Sequence, residues 1–241
     1  LDILVSQLYL NRREGSPAAT GELNGVKVDF LCPRQMGRVP AAVEMTRYLN
    51  MTDQKPSLVL CIGLAGGFRE EDVDPGALIC ADTVIDLANR KVSEDNEGHA
   101  QEKFRRQDFR CAKHVYSILK TDSFDWSSWE TYSRKNFDWP QGRVPHLKEG
   151  KIASVDEVVA SDTHRKNMVA SVDKLLGVEM EAGGICAAAE TCNIPVSVIR
   201  VVSDMADPSQ VDNAWRNCGK RTLGELIRQL PLQKIASNKD L

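Results

Sequence analysis

Leu175-Leu176-Gly177-Val178-Glu179-Met180-Glu181-Ala182-Gly183-Gly184-Ile185-Cys186-Ala187-Ala188-Ala189 changes its period halfway through. Val172 to Met180 leads in as an apolar strand. From Ala182 to Thr191 the residues are very small, which suits a helix packed closely on a sheet. Pro195 to Val202 is a second apolar run, long enough for a strand buried on both faces. Strand, small-residue helix and strand in succession indicate an α/β fold. Both apolar runs end in acids: Glu179 and Glu181 after the first, Ser203-Asp204 and Asp207 after the second. Carboxylates beside buried strands suggest that something polar is gripped there.

The same alternation extends along the chain. Val26 to Leu31 alternates as a strand, with Asn24-Gly25 as a hairpin signal before it. Gly15 to Gly21 reads as a turn-rich link. Pro40 opens a helix to about Asn50 with Ala41, Ala42, Met45 and Leu49 inward. Ser57 to Ile62 and Ala77 to Val84 are buried strands, and Lys151 to Val155 is another. Trp215 to Leu230 is an amphipathic closing helix. Residues 89–150 are polar, carry Trp126, Trp129 and Trp139, and read as an insertion or lid with one helix over Lys103 to Lys120. Leu1, Leu4, Val5, Leu8 and Tyr9 recur at helical spacing, so the chain opens as though inside a helix. The expected fold is a three-layer α/β/α sandwich around a mixed, largely parallel twisted sheet, as a single domain over 1–241 lacking its first strand upstream of Leu1.

Composition excludes several classes. A chain of 241 residues can bury a sizeable core. Its net charge of −3 gives no footing for nucleic acid. The longest apolar run, Leu58 to Phe68, is too short to span a membrane. The seven cysteines form no Cys-x-x-Cys pair, and Cys61, Cys80, Cys186 and Cys192, inside apolar strands or helices, read as core thiols of a reducing, cytoplasmic setting. Four scattered histidines offer no metal-ligand spacing, so neither a metal nor a cofactor is expected.

Four stretches can carry chemistry. Gly63-Leu64-Ala65-Gly66-Gly67 ends a buried strand, where glycines let backbone approach a ligand; a plain strand-to-loop turn has the same look. Gln35-Met36-Gly37-Arg38-Val39-Pro40 is a helix entry whose N–H groups can face a ligand oxygen, or simply a helix start. Glu179 and Glu181, two apart in an extended segment, would share a face, and one carboxylate can accept both hydroxyls of a ribose diol. Ser203 can hold Asp204 in a fixed rotamer, and a desolvated acid there can donate a proton near neutral pH. Asp207 suits a helix cap.

Taken in order, Met36-Gly37-Arg38-Val39 with Ala41-Ala42, Gly63 to Gly67, Lys151 to Asp156, Val178-Glu-Met-Glu-Ala182 and Arg200-Val-Val-Ser-Asp-Met-Ala-Asp207 resemble the nucleoside phosphorylase / methylthioadenosine–adenosylhomocysteine nucleosidase superfamily. The Trp215 helix and the 89–150 segment look most like the branch fused to larger signalling or antiviral-defence proteins. The resemblance implies that Glu181 binds the ribose 2′- and 3′-hydroxyls, Met180 packs beneath the sugar and Glu179 is a neighbouring polar contact. It implies that Asp204, oriented by Ser203, protonates purine N7, and that Ala65 and Gly66 lie near the base. Val158 falls where a base-stacking phenylalanine often stands. Met36 and Arg38 come with the helix entry, and Arg34, Arg38, Arg105 and Arg106 could meet 5′-phosphates. Where phosphorylases place an arginine and a serine for phosphate, this chain has Cys61 and Leu64, which favours water as nucleophile. The water-activating glutamate of the nucleosidases would precede Leu1.

The leading expectation is a purine N-ribohydrolase acting on an adenine nucleoside or nucleotide, with ATP, AMP, adenosine and methylthioadenosine as candidates. Its partner would be that small molecule, and the chain would form a homo-oligomer. A phosphate-dependent phosphorylase and a non-catalytic nucleoside sensor within a larger protein remain open beside it.

Overall fold

A computed structural model describes residues 11–12, 18–71, 73–95, 97–121, 124–136, 146–208 and 213–237. The helical pattern at Leu1 to Tyr9 and Trp139 lie outside these residues. In order, the strands are β1 (Asn11–Arg12), β2 (Ala18–Leu23), β3 (Val26–Leu31), β4 (Val59–Gly67), β5 (Leu78–Asp86), β6 (Arg90–Glu94), β7 (Ala100–Phe104), β8 (Gln107–Arg110), β9 (Leu147–Ser154), β10 (Leu175–Glu179) and β11 (Val196–Asp204). The helices are α1 (Arg38–Met51), α2 (His114–Lys120), α3 (Trp126–Asn136), α4 (Asp162–Ser171), α5 (Ala182–Glu190), α6 (Asn213–Gln229) and α7 (Leu232–Ser237). A short 3-10 turn covers Arg69–Glu71.

The central sheet runs β11-β4-β10-β9-β5-β8, and β5 also pairs with β11. Three of these pairings are parallel (β11–β4, β10–β9, β9–β5) and three antiparallel (β4–β10, β5–β11, β5–β8). The expected α/β architecture with a mixed sheet flanked by helices is present, and in addition the sheet curls round to meet itself. The cause lies in β5. Its register against β9 shifts between Ala81 and Thr83, and a bulge of this kind bends a strand. Leu78–Ala81 then pair with β11, while Thr83–Asp86 pair with β8.

Helices cover this sheet on separate cores. Met45, Tyr48 and Leu49 of α1 and Cys186, Ala188 and Ala189 of α5 pack with Cys61, Val84 and Val198. On the other side Trp215, Leu223 and Leu226 of α6 join Val115, Leu119, Trp129, Cys80 and Val201. Small residues let α5 approach closely, because a Cβ on Gly184 would stand 2.0 Å from the Arg38 carbonyl oxygen of α1. All seven cysteines are free thiols. No helix among the described residues is long and apolar enough to cross a membrane.

Three expectations change. Gly21 lies inside β2, because the Asn24-Gly25 turn needs a strand on each side; both residues have positive φ, at 50° and 73°. The glycines from Gly63 to Gly67 continue β4 instead of leaving it, since β11 and β10 pair with them. The helix expected over Lys103 to Lys120 is confined to α2, and β7 and β8 occupy its first part. Among the described residues of 89–150, β6 and β7 form a separate two-stranded sheet. β8 belongs to the central sheet, and the fully buried Trp129 roots α3 in the core.

Candidate active site

Gly66 is the meeting point. On one side β10 sets Val178 opposite it, and on the other β11 sets Asp204 opposite it. The two acid-ended runs are thereby brought to either flank of one strand. The site tolerates no side chain at this position: a Cβ on Gly66 would lie 3.0 Å from Asp204 Oδ1 and 2.9 Å from the Ala206 Cβ. Ala65 beside it is buried.

Glu179 and Glu181 do not share a face. β10 ends at Glu179, whose carboxylate accepts the backbone N–H of Glu181 at 3.0 Å and of Ala182 at 2.8 Å. These are donors that the first turn of α5 would otherwise leave unmet, and the chain turns to bring them to the carboxylate. The remaining capacity of Glu179 goes to Arg200, whose Nη2 donates to Oε2 at 2.6 Å. Both side chains are shut from solvent, at 0% and 2% exposure. Arg200 Nη1 also donates to the Cys61 and Ile199 carbonyls at 2.8 and 3.1 Å, and Nη2 lies 3.1 Å from Cys61 Sγ. Glu179, expected as a polar contact to a ligand, is thus a buried brace.

Glu181 is the acid left facing outward. It stands at the N-cap position of α5, half-buried, and Oε1 accepts the Gly37 N–H at 3.4 Å. Burial, and then the neighbouring Glu179 charge, raise its carboxyl above the ordinary 4.5, against the pull of Arg200 and the Gly37 N–H. A raised carboxyl in the folded state means that folding is opposed once the unfolded chain ionises. Below about 4.5 both states are protonated and the penalty is absent. It grows as pH rises through 4.5 and levels off above the folded value. Glu181→Gln should therefore raise the melting temperature at pH 7 to 8 and leave it unchanged near pH 3.5, as thermal scans at the two pH values would register. A variant no more stable than wild type at pH 7.5 would contradict this account of the site.

Asp204 ends β11 with both oxygens held. Oδ2 accepts the Ser203 hydroxyl at 3.0 Å and Oδ1 accepts the Ala206 N–H at 3.0 Å. Ser203 is itself buried. Arg216 of α6 brings Nη2 to 3.9 Å from Oδ2, from a half-exposed side chain. Asp207 pairs with Arg69 at 2.9 Å and so ties the end of β11 to the turn after β4.

Met180 is partly buried between the two acids in sequence. Met36 and Val158 are 74% and 59% exposed, leaving two apolar side chains open beside the helix entry. Arg38 departs from expectation. Its Nη2 donates to Asp156 Oδ2 at 2.9 Å, its Nη1 to Asp86 Oδ2, and its backbone N–H to Asp156 Oδ1 at 3.0 Å. Two carboxylates converge on this guanidinium, so its charge is already neutralised within the chain. Arg34, Arg105 and Arg106 are exposed, with Arg106 3.4 Å from Asp108. Cys61 is buried against Arg200, and the partly buried Leu64 packs into the α6 core.

Sequence reading assigned no role to Asp86, Asp156, Arg200 or Arg216. For Arg200 a signal existed. An arginine inside Val196–Asp204, where the neighbours are apolar, requires a buried anion, and Glu179 was the candidate at the end of an adjacent apolar run.

The phosphorylase superfamily model matches residues 3–228 of the chain. The chain is similar to a death domain-containing ATP nucleosidase of Amphimedon queenslandica, 23% identical over 227 residues, which are 91% of this chain and 40% of that protein. It is also similar to a 5′-methylthioadenosine/S-adenosylhomocysteine nucleosidase of Haemophilus influenzae, 27% identical over 85% of this chain and 81% of the relative. This chain thus spans less than half of the first relative's length. Among solved structures, the 5′-methylthioadenosine/S-adenosylhomocysteine nucleosidase of S. pneumoniae superposes with TM-score 0.66 at 22% identity, covering 95% of this chain and 96% of the other. The futalosine hydrolase of Helicobacter pylori superposes with TM-score 0.61 at 18% identity, covering 97% and 90%.

Proposed function

The chain belongs to the phosphorylase superfamily, and from that premise we propose that it is a purine N-ribohydrolase acting on an adenine nucleoside or nucleotide. The observation that carries this reading is that β10, which leads to Glu181, and β11, which ends at Asp204, flank β4 on either side of Gly66, with each acid prepared differently. Glu181 is half-buried and accepts one long bond from Gly37, which leaves acceptor capacity suited to the two hydroxyls of a ribose. Asp204 is locked by Ser203 and the Ala206 N–H, suited to meet purine N7.

In the reaction, the C1′–N9 bond breaks and its electron pair passes to the purine. Asp204 delivers a proton to N7, so the base leaves neutral. A general acid in that role contributes roughly 10²–10⁴-fold. Positive charge develops on the sugar, and fixed carboxylates nearby favour it. Water bonds to C1′ and releases a proton to solvent, from which Asp204 is reprotonated, giving free ribose or its 5′-substituted form. Cys61, buried, and Leu64, partly buried against the α6 core, offer no cation or hydroxyl for phosphate, which supports water over phosphorolysis.

The names of the relatives supply two of the candidates, ATP and methylthioadenosine. Incubation with ATP, AMP, adenosine and methylthioadenosine, followed by chromatography, should show adenine released from at least one without added phosphate. Absence of adenine from all four would sink the reading. Turnover that requires phosphate and yields ribose 1-phosphate would replace it with phosphorolysis.

A further inference from the structure

Arg38 stands where four segments meet, and none of its contacts has a role in the reading above. It opens α1 immediately after Gly37, whose N–H is the donor to Glu181. Its guanidinium joins Asp86 at the end of β5 to Asp156 just beyond β9, and its Nε is 3.2 Å from Asp156 Oδ2. Its carbonyl lies against Gly184 of α5, with no room for a Cβ between them. Asp86 in turn accepts the Ala88 N–H at 3.0 Å and is 94% buried, so it is a fixed anchor. Asp156 lies two residues before the exposed Val158. Gly183, next along α5, donates its N–H to Ser154 Oγ at 2.9 Å, which fastens the same helix start to the end of β9.

We propose that Asp156, acting through Arg38, is a positioning residue that aims the Gly37 N–H at Glu181 and holds the Val158 segment in step with it. The inference rests on the reading of Glu181 as the group that grips the sugar diol. The physical argument is one of constraint. The Gly37 N–H reaches Glu181 at a long 3.4 Å, so a small rotation of the helix entry would break it. Asp156 accepts three N–H groups from the single residue Arg38, one from the backbone and two from the guanidinium. A carboxylate engaged at both ends of one residue fixes backbone and side chain together. A lysine in place of Arg38 would supply a point charge but not this fork. Asp156 is also the more exposed of the two partners, at 43% against 9% for Asp86, so removing it exposes little core.

Because Glu181 would hold the diol in ground and transition state alike, loosening it should raise KM more than it lowers kcat. The test compares wild type with Asp156→Ala, Asp156→Asn and Arg38→Lys. Turnover of adenosine and 2′-deoxyadenosine is measured, with melting temperature alongside. Expected is a KM for adenosine about tenfold higher in Asp156→Ala, an intermediate value in Asp156→Asn, which keeps an acceptor for the backbone N–H, and a change of kcat under about threefold. The preference for adenosine over 2′-deoxyadenosine should shrink in the same order, because the grip on the 2′-hydroxyl is what loosens. If adenosine is not turned over by wild type, equilibrium binding of the same two nucleosides gives the same comparison. Wild-type KM and wild-type discrimination in both Asp156→Asn and Arg38→Lys overturn the proposal, whether or not melting temperature falls. A wild-type protein that neither binds nor cleaves any adenine nucleoside or nucleotide overturns the functional reading itself, and with it this assignment.

Discussion

Asp204→Asn should reduce adenine release by about 10²–10⁴-fold and leave the protein folded. Asparagine has nearly the same shape. Its Oδ1 can still accept the Ala206 N–H, and its amide can donate to the Ser203 oxygen, so both hydrogen bonds of the native carboxylate have replacements. What it lacks is a proton to give to N7. The loss should therefore appear in kcat with KM little altered, since the proton moves only as the bond breaks. The measurement is steady-state release of adenine by chromatography, with a thermal scan to confirm folding. Arg216 does not complicate the outcome much, because at 3.9 Å and half-exposed its pair with Asp204 is of the kind worth little. Turnover within threefold of wild type in the folded variant would remove Asp204 from the chemistry.

The largest effect on stability is expected at Glu179. Glu179→Ala would leave the Arg200 guanidinium 98% buried beside the Cys61 sulfur with no anion to balance it. It would also strip the acceptor from the Glu181 and Ala182 N–H groups at the start of α5. Removing one partner of a buried pair costs about 3–5 kcal/mol. In a chain of this size each kcal/mol is about 2–4 °C, so the melting temperature should fall by on the order of 10 °C. The thiol cannot stand in for the lost carboxylate, because burial pushes Cys61 above its ordinary value and keeps it neutral. Glu179→Gln should fall between, because its oxygen still accepts the helix N–H groups while the charge goes unbalanced. A melting temperature within 3 °C of wild type for Glu179→Ala would mean that the brace holds nothing. The two experiments separate cleanly: Asp204 is expected to matter for chemistry and not for folding, Glu179 for folding first.

Much of the central architecture was legible because it depends on local pattern. The apolar runs of β4, β5 and β11 and the small residues of α5 announce themselves without knowledge of their neighbours. The misreading at Lys103 to Lys120 has the opposite cause. Nothing in Gln107–Arg110 by itself favours a strand strongly, and it becomes one by pairing with β5, with Phe109 buried against the core. The continuation of β4 through its glycines is similar. Glycine disfavours a strand locally, yet Gly66 and Gly67 are flanked closely enough by β10 and β11 that a larger residue would collide with Asp204 or Val202.

For the site, residue types and their order came from sequence, and roles came from contact. Sequence alone determined an α/β chain with a small-residue helix between two buried strands, and acids at the ends of those strands. It could not say which of Glu179 and Glu181 faces outward, because a spacing of two is the same whether the strand continues or turns. The tertiary structure decided it. β10 and β11 lie on opposite flanks of β4, so Arg200, 21 residues distant, reaches Glu179 and fixes it inside. The same closure presents Asp204 across Gly66 and leaves Glu181 at the helix entry, against Gly37. The physical reason is that a buried charge takes whichever partner the sheet register supplies, and that register is a property of strands far apart in the chain.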